Sequence, residues 1–217
     1  MDLGEQYMFR ANRDPTSRYY AMAVEEFERG SRVPNASPMP EQGLIVLAAI
    51  SGQPADPAWW DRVVHKLETR PIGPQEQSMI AGLLRKRREG LAIDDQRFAE
   101  AYLVVANRTR MPPYHYYAMG EHALLYAQDR PVAEALFLRA VEYAAGQPEV
   151  AAEIADALLG RGERDMAIAV AEHARQLGIA DIRIAGAASP PDVQPLHSEA
   201  GDAPLSDSTS ASTATSR

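Results

Sequence analysis

Ala99-Glu100-Ala101-Tyr102-Leu103-Val104-Val105-Ala106 carries a spacing that returns twice further along the chain. Its Ala99, Leu103 and Ala106 recur 34 residues on as Ala133, Phe137 and Ala140, and again as Ala167, Ala171 and Ala174. Positions i, i+4 and i+7 lie on one face of a helix. Small residues at the two ends let a neighbouring helix approach, and a large one between them fills the gap. Alanine is frequent in any helix because it is the best helix former, so one triplet says little. Three copies in one register say more, and Ala23, Phe27 and Gly30 repeat the spacing near the amino terminus. A fixed period of this length points to an array of similar units.

On either side of these copies the punctuation is that of helices. Asp14-Pro15 and Asp56-Pro57 each set a capping carboxylate before a proline, whose missing amide is harmless in a first helical turn. Gly146-Gln147-Pro148-Glu149 closes one helix with a glycine and opens the next with a proline and an acid. Sustained alternation and Asn-Gly or Asp-Gly hairpin turns are missing, so strands are not expected. The pattern predicts an all-α protein with helices over 3–11, 15–30, 40–51, 57–69, 74–88, 95–107, 113–127, 131–145, 148–160 and 163–178. Short connections make these five antiparallel pairs. After Gly186 large apolar residues nearly vanish and Ser, Thr, Ala and Pro dominate. Residues 1–185 are therefore expected as a helical repeat domain and 186–217 as a disordered tail.

Composition narrows the function classes. At 46% hydrophobic and 24% charged, a chain of 217 residues can bury a sizeable core. The longest unbroken apolar run, Leu44 to Ile50, has seven residues. A membrane-crossing helix needs roughly 20, so insertion by this chain itself is not expected. Met1-Asp2-Leu3-Gly4-Glu5 lacks the basic start of a secretory signal. A complete chain would then be cytoplasmic by default, and a fragment of a larger protein membrane-associated. A net charge of −8 disfavours a nucleic-acid partner. With no cysteine, disulfides, zinc–thiolate sites and thiol nucleophiles are excluded. Neither a phosphate-binding glycine loop, a Gly-x-Ser-x-Gly elbow nor a His-Glu-x-x-His pair occurs. The expectation is a non-enzyme without metal or other cofactor.

The 34-residue period and the small-large-small second helix resemble the tetratricopeptide repeat. The Leu-Gly-x-x-Tyr pattern of that family's first helix occurs as Leu3-Gly4-Glu5-Gln6-Tyr7, and more weakly as Met119-Gly120-Glu121-His122-Ala123. The resemblance implies a right-handed α-solenoid of about ten helices whose first helices line a concave groove. A first helix beginning by residue 3 would leave Leu3, Tyr7 and Met8 partly uncovered. A narrower resemblance rests on Asp14-Pro15-Thr16-Ser17, Pro40-Glu41-Gln42-Gly43-Leu44, Trp59-Trp60-Asp61 and Gly73-Pro74-Gln75-Glu76. These look like landmarks of the soluble carboxy-terminal repeat regions of bacterial multi-pass membrane proteins associated with glycan assembly.

In the repeat register Tyr114, Tyr117 and Glu121 line the groove and Tyr116 faces the core, because adjacent helical positions diverge by about 100 degrees. Glu41, Gln42 and Glu76 are weaker groove candidates on earlier first helices. His115 and His122 stand seven apart, whereas a metal pair on a helix uses i, i+4 or i, i+3, so both are read as structural. Arg85-Lys86-Arg87-Arg88 is the only basic run and is read as a helix end, where the macrodipole favours cations. Of Trp59 and Trp60, one should be core and the other partly exposed. The expected function is a protein–protein interaction scaffold holding a peptide or protein segment in the groove. The alternative is the soluble recognition domain of a membrane-bound glycosyltransferase or polysaccharide-assembly protein, with a membrane-embedded partner or missing domain.

Overall fold

A computed structural model describes residues 3–11, 14–33, 35–144, 147–179 and 182. The described residues form ten α-helices and no strand. They are α1 (Leu3–Ala11), α2 (Arg18–Ser31), α3 (Met39–Ile50), α4 (Pro57–Thr69), α5 (Pro74–Arg88), α6 (Asp95–Arg108), α7 (Pro113–His122), α8 (Arg130–Tyr143), α9 (Pro148–Gly160) and α10 (Arg164–Gln176). None is long and apolar enough to cross a membrane. The expected tail over 186–217 and the expected stop at Gly146 lie outside the described residues.

Local chemistry sets the helix ends. The second helices α2, α4, α6 and α8 open on side-chain caps: Ser17 accepts from the Tyr19 amide at 3.2 Å, Asp56 from Ala58 at 2.9 Å, Asp94 from Arg97 at 3.0 Å and Asp129 from Val132 at 3.1 Å. Asp14-Pro15 does not start α2 as expected. The Asp14 carboxylate instead takes the Thr16 amide at 2.9 Å and the Thr16 hydroxyl at 2.7 Å, which closes a turn, and the helix begins three residues later behind Ser17. The first helices α3, α5, α7 and α9 carry a proline in the first turn. Gly52 and Gly90, with φ of +68° and +97°, stop α3 and α5 in the left-handed conformation that glycine adopts without strain.

α7 ends differently. It runs directly into a π-helical turn, Ala123–Ala127, and Gln128 takes the left-handed position with φ of +55°. The Asp129 amide then reaches back to the Ala123 carbonyl at 2.9 Å. A π-turn accommodates one more residue than an α-turn, and this one packs on both α6 and α8.

Consecutive helices form antiparallel pairs, and each first helix packs on the next: α1 on α3, α3 on α5, α5 on α7, α7 on α9. Among the second helices α4 packs on α6 and α8 on α10. Packing therefore runs to near neighbours along the series, as in an open array of stacked pairs rather than rods around one centre. The recurring small residues are where these approaches happen. Ala23, Ala99, Ala106, Ala133, Ala140, Ala167, Ala171 and Ala174 are all buried, as are Phe27 and Phe137, whereas Leu103 and Gly30 are half-buried. Trp60 is core, and Trp59 is half-buried with its indole N–H donating to Glu28 at 2.8 Å. Leu3 is exposed, while Tyr7 and Met8 are half-buried against the Phe27 cluster.

A second device ties the units together. Arg70, just after α4, donates to the Ala36 carbonyl beyond α2. Arg108, at the end of α6, donates to the Leu67 carbonyl and, at 3.0 Å, to that of Arg70. Arg139 in α8 donates to the Ala106 carbonyl at 2.9 Å and to the Asn107 side chain at 3.0 Å. Arg108 and Arg139 thus satisfy carbonyls at the C-terminal end of the preceding second helix, where both hydrogen-bonding need and dipole favour a cation, and Arg70 satisfies one in the loop after α2.

Candidate functional site

The face built by the first helices carries two adjoining clefts. One, of about 420 Å³, lies between α5 and α7; Ala81, Gly82 and Ala118 form its small-residue lining, beside Arg85, Arg88 and Tyr114. The other, of about 340 Å³, is bounded by Leu84, Arg88, Glu121, Leu125, Tyr126 and Arg161. Arg88 belongs to both. Leu125 and Tyr126 reach the second cleft from the π-turn, so that irregular turn shapes part of its wall.

Tyr114 is 62% exposed at the first cleft, and its hydroxyl accepts from Arg88 at 3.3 Å. Tyr117 is half-buried: its ring centroid lies 6.4 Å from that of Tyr114 and 6.0 Å from that of Phe137, so it joins the cleft to the core. Burial raises the Tyr117 phenol above its usual range, and the adjacent Glu121 carboxylate pushes the same way. Its O–H donates to Glu121 at 3.0 Å. Tyr116 is fully buried, its hydroxyl donating to the Thr109 carbonyl at 3.0 Å and accepting from the Met111 amide at 3.3 Å.

Glu121 reaches this face but is only 8% exposed. Arg88 and Arg161 both donate to it, as does Tyr117, so α5, α7 and the residue that follows α9 are joined through one carboxylate. Gln42 is half-buried at the seam of α3 and α5, beside Gly82. The other two expected groove residues lie elsewhere. Glu41 is 0% exposed, and Lys66 Nζ from α4 donates to its Oε1 at 2.6 Å; a step of one residue along the helix, about 100 degrees, separates it from Gln42 and carries it to the seam with the second helix. Glu76 turns back to accept from the Gly73 amide at 2.8 Å, closing the N-terminus of α5.

The basic run divides by side. Arg87 points toward α6 and forms a two-point pair with Asp95, at 2.7 and 3.0 Å. Arg88 points into the clefts, and Arg85, more exposed, lies 3.9 Å from Glu89. The helix-end reading places the run correctly but does not anticipate these separate duties.

His122 occupies an aromatic box that the sequence did not reveal. Its ring lies 4.9 Å from Phe98 and 5.5 Å from both Tyr102 and Tyr126, measured between centroids. Its Nε2 is 3.1 Å from Asp95 Oδ1, and Nδ1 has no hydrogen-bond partner among the described residues. The guanidinium of Arg87 stands 4.1 Å over the Tyr126 ring. Burial lowers the His122 pKa below 6.5 even though Asp95 pulls it up, and Arg87 adds to the depression. The neutral ring that donates from Nε2 satisfies Asp95. His115 lines the first cleft, half-buried, with its pKa also lowered by burial. Among the described residues no group of three or more His, Asp or Glu is placed to hold a metal ion.

Comparison with protein-family models, with curated proteins and with solved structures finds no match to this chain.

Proposed function

We propose that this chain is a non-catalytic interaction scaffold of tetratricopeptide-like build, which holds a peptide or protein segment along the face of α3, α5, α7 and α9. Tyr114 carries the reading. A large aromatic side chain, mostly exposed, stands beside small residues and an arginine in a cleft between two rigid helices. Tyrosine in that setting offers an apolar face and a polar tip at low entropic cost, which suits a contact residue for a polypeptide. Support for the build comes from the serial packing of first helices and from rings seated on helix glycines, Phe27 on Gly4 and Gly43, Phe137 on Gly120. Glu121 belongs to the scaffold more than to the contact surface, since its oxygens already serve Arg88, Arg161 and Tyr117.

Tyr114→Ala is the informative variant, because it removes an exposed ring and little packing. Wild-type and variant chains would be used to co-purify partners from the native host, with mass spectrometry as readout. A partner recovered with wild type and lost with Tyr114→Ala at unchanged helicity supports the scaffold. A partner retained equally by both would move binding off this face, and Tyr117→Ala, which also disturbs the core, serves only as comparison.

A further inference from the structure

We infer that the cleft between α5 and α7 takes an acidic polypeptide segment, with a carboxylate on Arg85 and Arg88 and a neighbouring large apolar side chain over Gly82, and that Glu121 competes internally for Arg88. The inference rests on the scaffold reading above and adds the chemistry of the partner. The chain carries a net charge of −8, yet the two clefts are lined by Arg85, Arg88 and Arg161 against the single acid Glu121. A local positive field on an acidic protein selects for an anionic partner.

The arginines are also available. The Arg85 side chain is 74% exposed and meets Glu89 only at 3.9 Å, a separation at which an exposed pair contributes little. Arg88 donates to Tyr114 and Glu121 from separate nitrogens, so a guanidinium already oriented at the cleft can exchange one carboxylate for another.

The apolar half of the partner follows from the glycines. A Cβ built on Gly4, Gly43 or Gly120 would strike a phenylalanine ring of this chain at 2.6–2.7 Å. Over Gly82 the nearest side-chain atom is Gln42 Nε2 at 3.9 Å, and the cleft opens there between Ala81 and Ala118. No ring of this chain is seated on Gly82, and the cleft there is open to a side chain from outside.

The test is selection of an unbiased random-peptide library on the full chain, followed by titration of one recovered synthetic peptide by fluorescence anisotropy. The expected peptides place Asp or Glu beside Phe, Leu or another large apolar residue. Arg85→Gln/Arg88→Gln should weaken the synthetic peptide by about tenfold or more, the loss of one to two charge-assisted hydrogen bonds. Glu121→Gln should tighten it severalfold, and rising salt should weaken it. Circular dichroism checks each variant; if Arg88→Gln loses helicity, Arg85→Gln alone, on an exposed side chain, decides. Peptides enriched without acids would overturn this inference and leave the scaffold standing. Acidic peptides indifferent to the arginine variants would place them elsewhere. Weaker binding by Glu121→Gln would end its role as competitor, and failure to enrich any peptide would count against the scaffold itself.

Discussion

Phe137 rests its ring on the bare backbone of Gly120, so closely that a methyl group added there would lie 2.7 Å from the ring's Cε1. Phe27 does the same to two glycines at once, Gly4 on α1 and Gly43 on α3, each at 2.6 Å. One ring therefore bridges two successive first helices.

Gly43→Ala and Gly120→Ala should each lower stability. Alanine improves helix propensity by about 1 kcal/mol, but forcing a methyl into a filled contact costs about 1–3 kcal/mol. A net loss of about 1 kcal/mol is expected by urea titration followed through helicity. Adding Phe137→Leu to Gly120→Ala should cost less than the two single losses summed, because both act on one contact.

Arg108→Met should remove two carbonyl partners from the end of α4 while keeping much of the side-chain packing. Hydrogen bonds from a charged donor contribute about 1.5–3 kcal/mol, and partial exposure places this one at the lower end. Differential hydrogen exchange should localise the loss to amides near residues 66–70. A uniform loss across the chain would show that Arg108 does not act at that helix end.

The pair formed by Glu41 and Lys66 is a deeply placed ionic contact, with Lys66 also donating to the Ser31 carbonyl at 3.3 Å. Lys66→Met leaves a buried carboxylate with only Arg62 nearby, 3.8 Å away, and should cost about 3 kcal/mol or more. Glu41→Leu/Lys66→Met together should cost much less, because no lone charge remains. Thermal unfolding of the three variants gives the comparison.

Stability should fall as pH drops below 6.5. The folded pKa of His122 lies below 6.5, so the unfolded chain takes up its proton first. Its contribution is complete above 6.5, declines as pH falls from there to the folded value, and is flat below it. For one such group the slope stays below about 1.4 kcal/mol per pH unit. His115 shifts the same way for the same reason. His122→Phe should flatten the dependence more than His115→Gln does.

Most of the architecture was legible because helix ends are written locally. Asp56-Pro57 and Pro148-Glu149 open α4 and α9 at the residues that sequence alone indicates. Asp14 misled because an Asx turn and a helix cap draw on the same side chain, and Ser17 competed better for the cap. Tyr114 and Tyr116 separated as their angular positions require. Glu41 and Glu76 did not reach the groove: each had a nearer partner, a lysine across a helix seam and an amide three residues back. The His122 box depends on Phe98, Tyr102 and Asp95, brought in from another helix, and no local spacing announces a contact of that kind.

The π-turn makes the length of this chain a matter of rotation as well as count. Deleting one residue between Ala123 and Ala127 would let the backbone relax into an ordinary helical turn of nearly the same rotation, because the π-turn is what absorbs the extra residue. Leu125 and Tyr126 would then leave the wall of the second cleft, while α8 kept its own cap at Asp129. Substitutions within this segment are a minor matter beside a change in reading length, so drift in this protein should leave the segment's size alone while its letters vary.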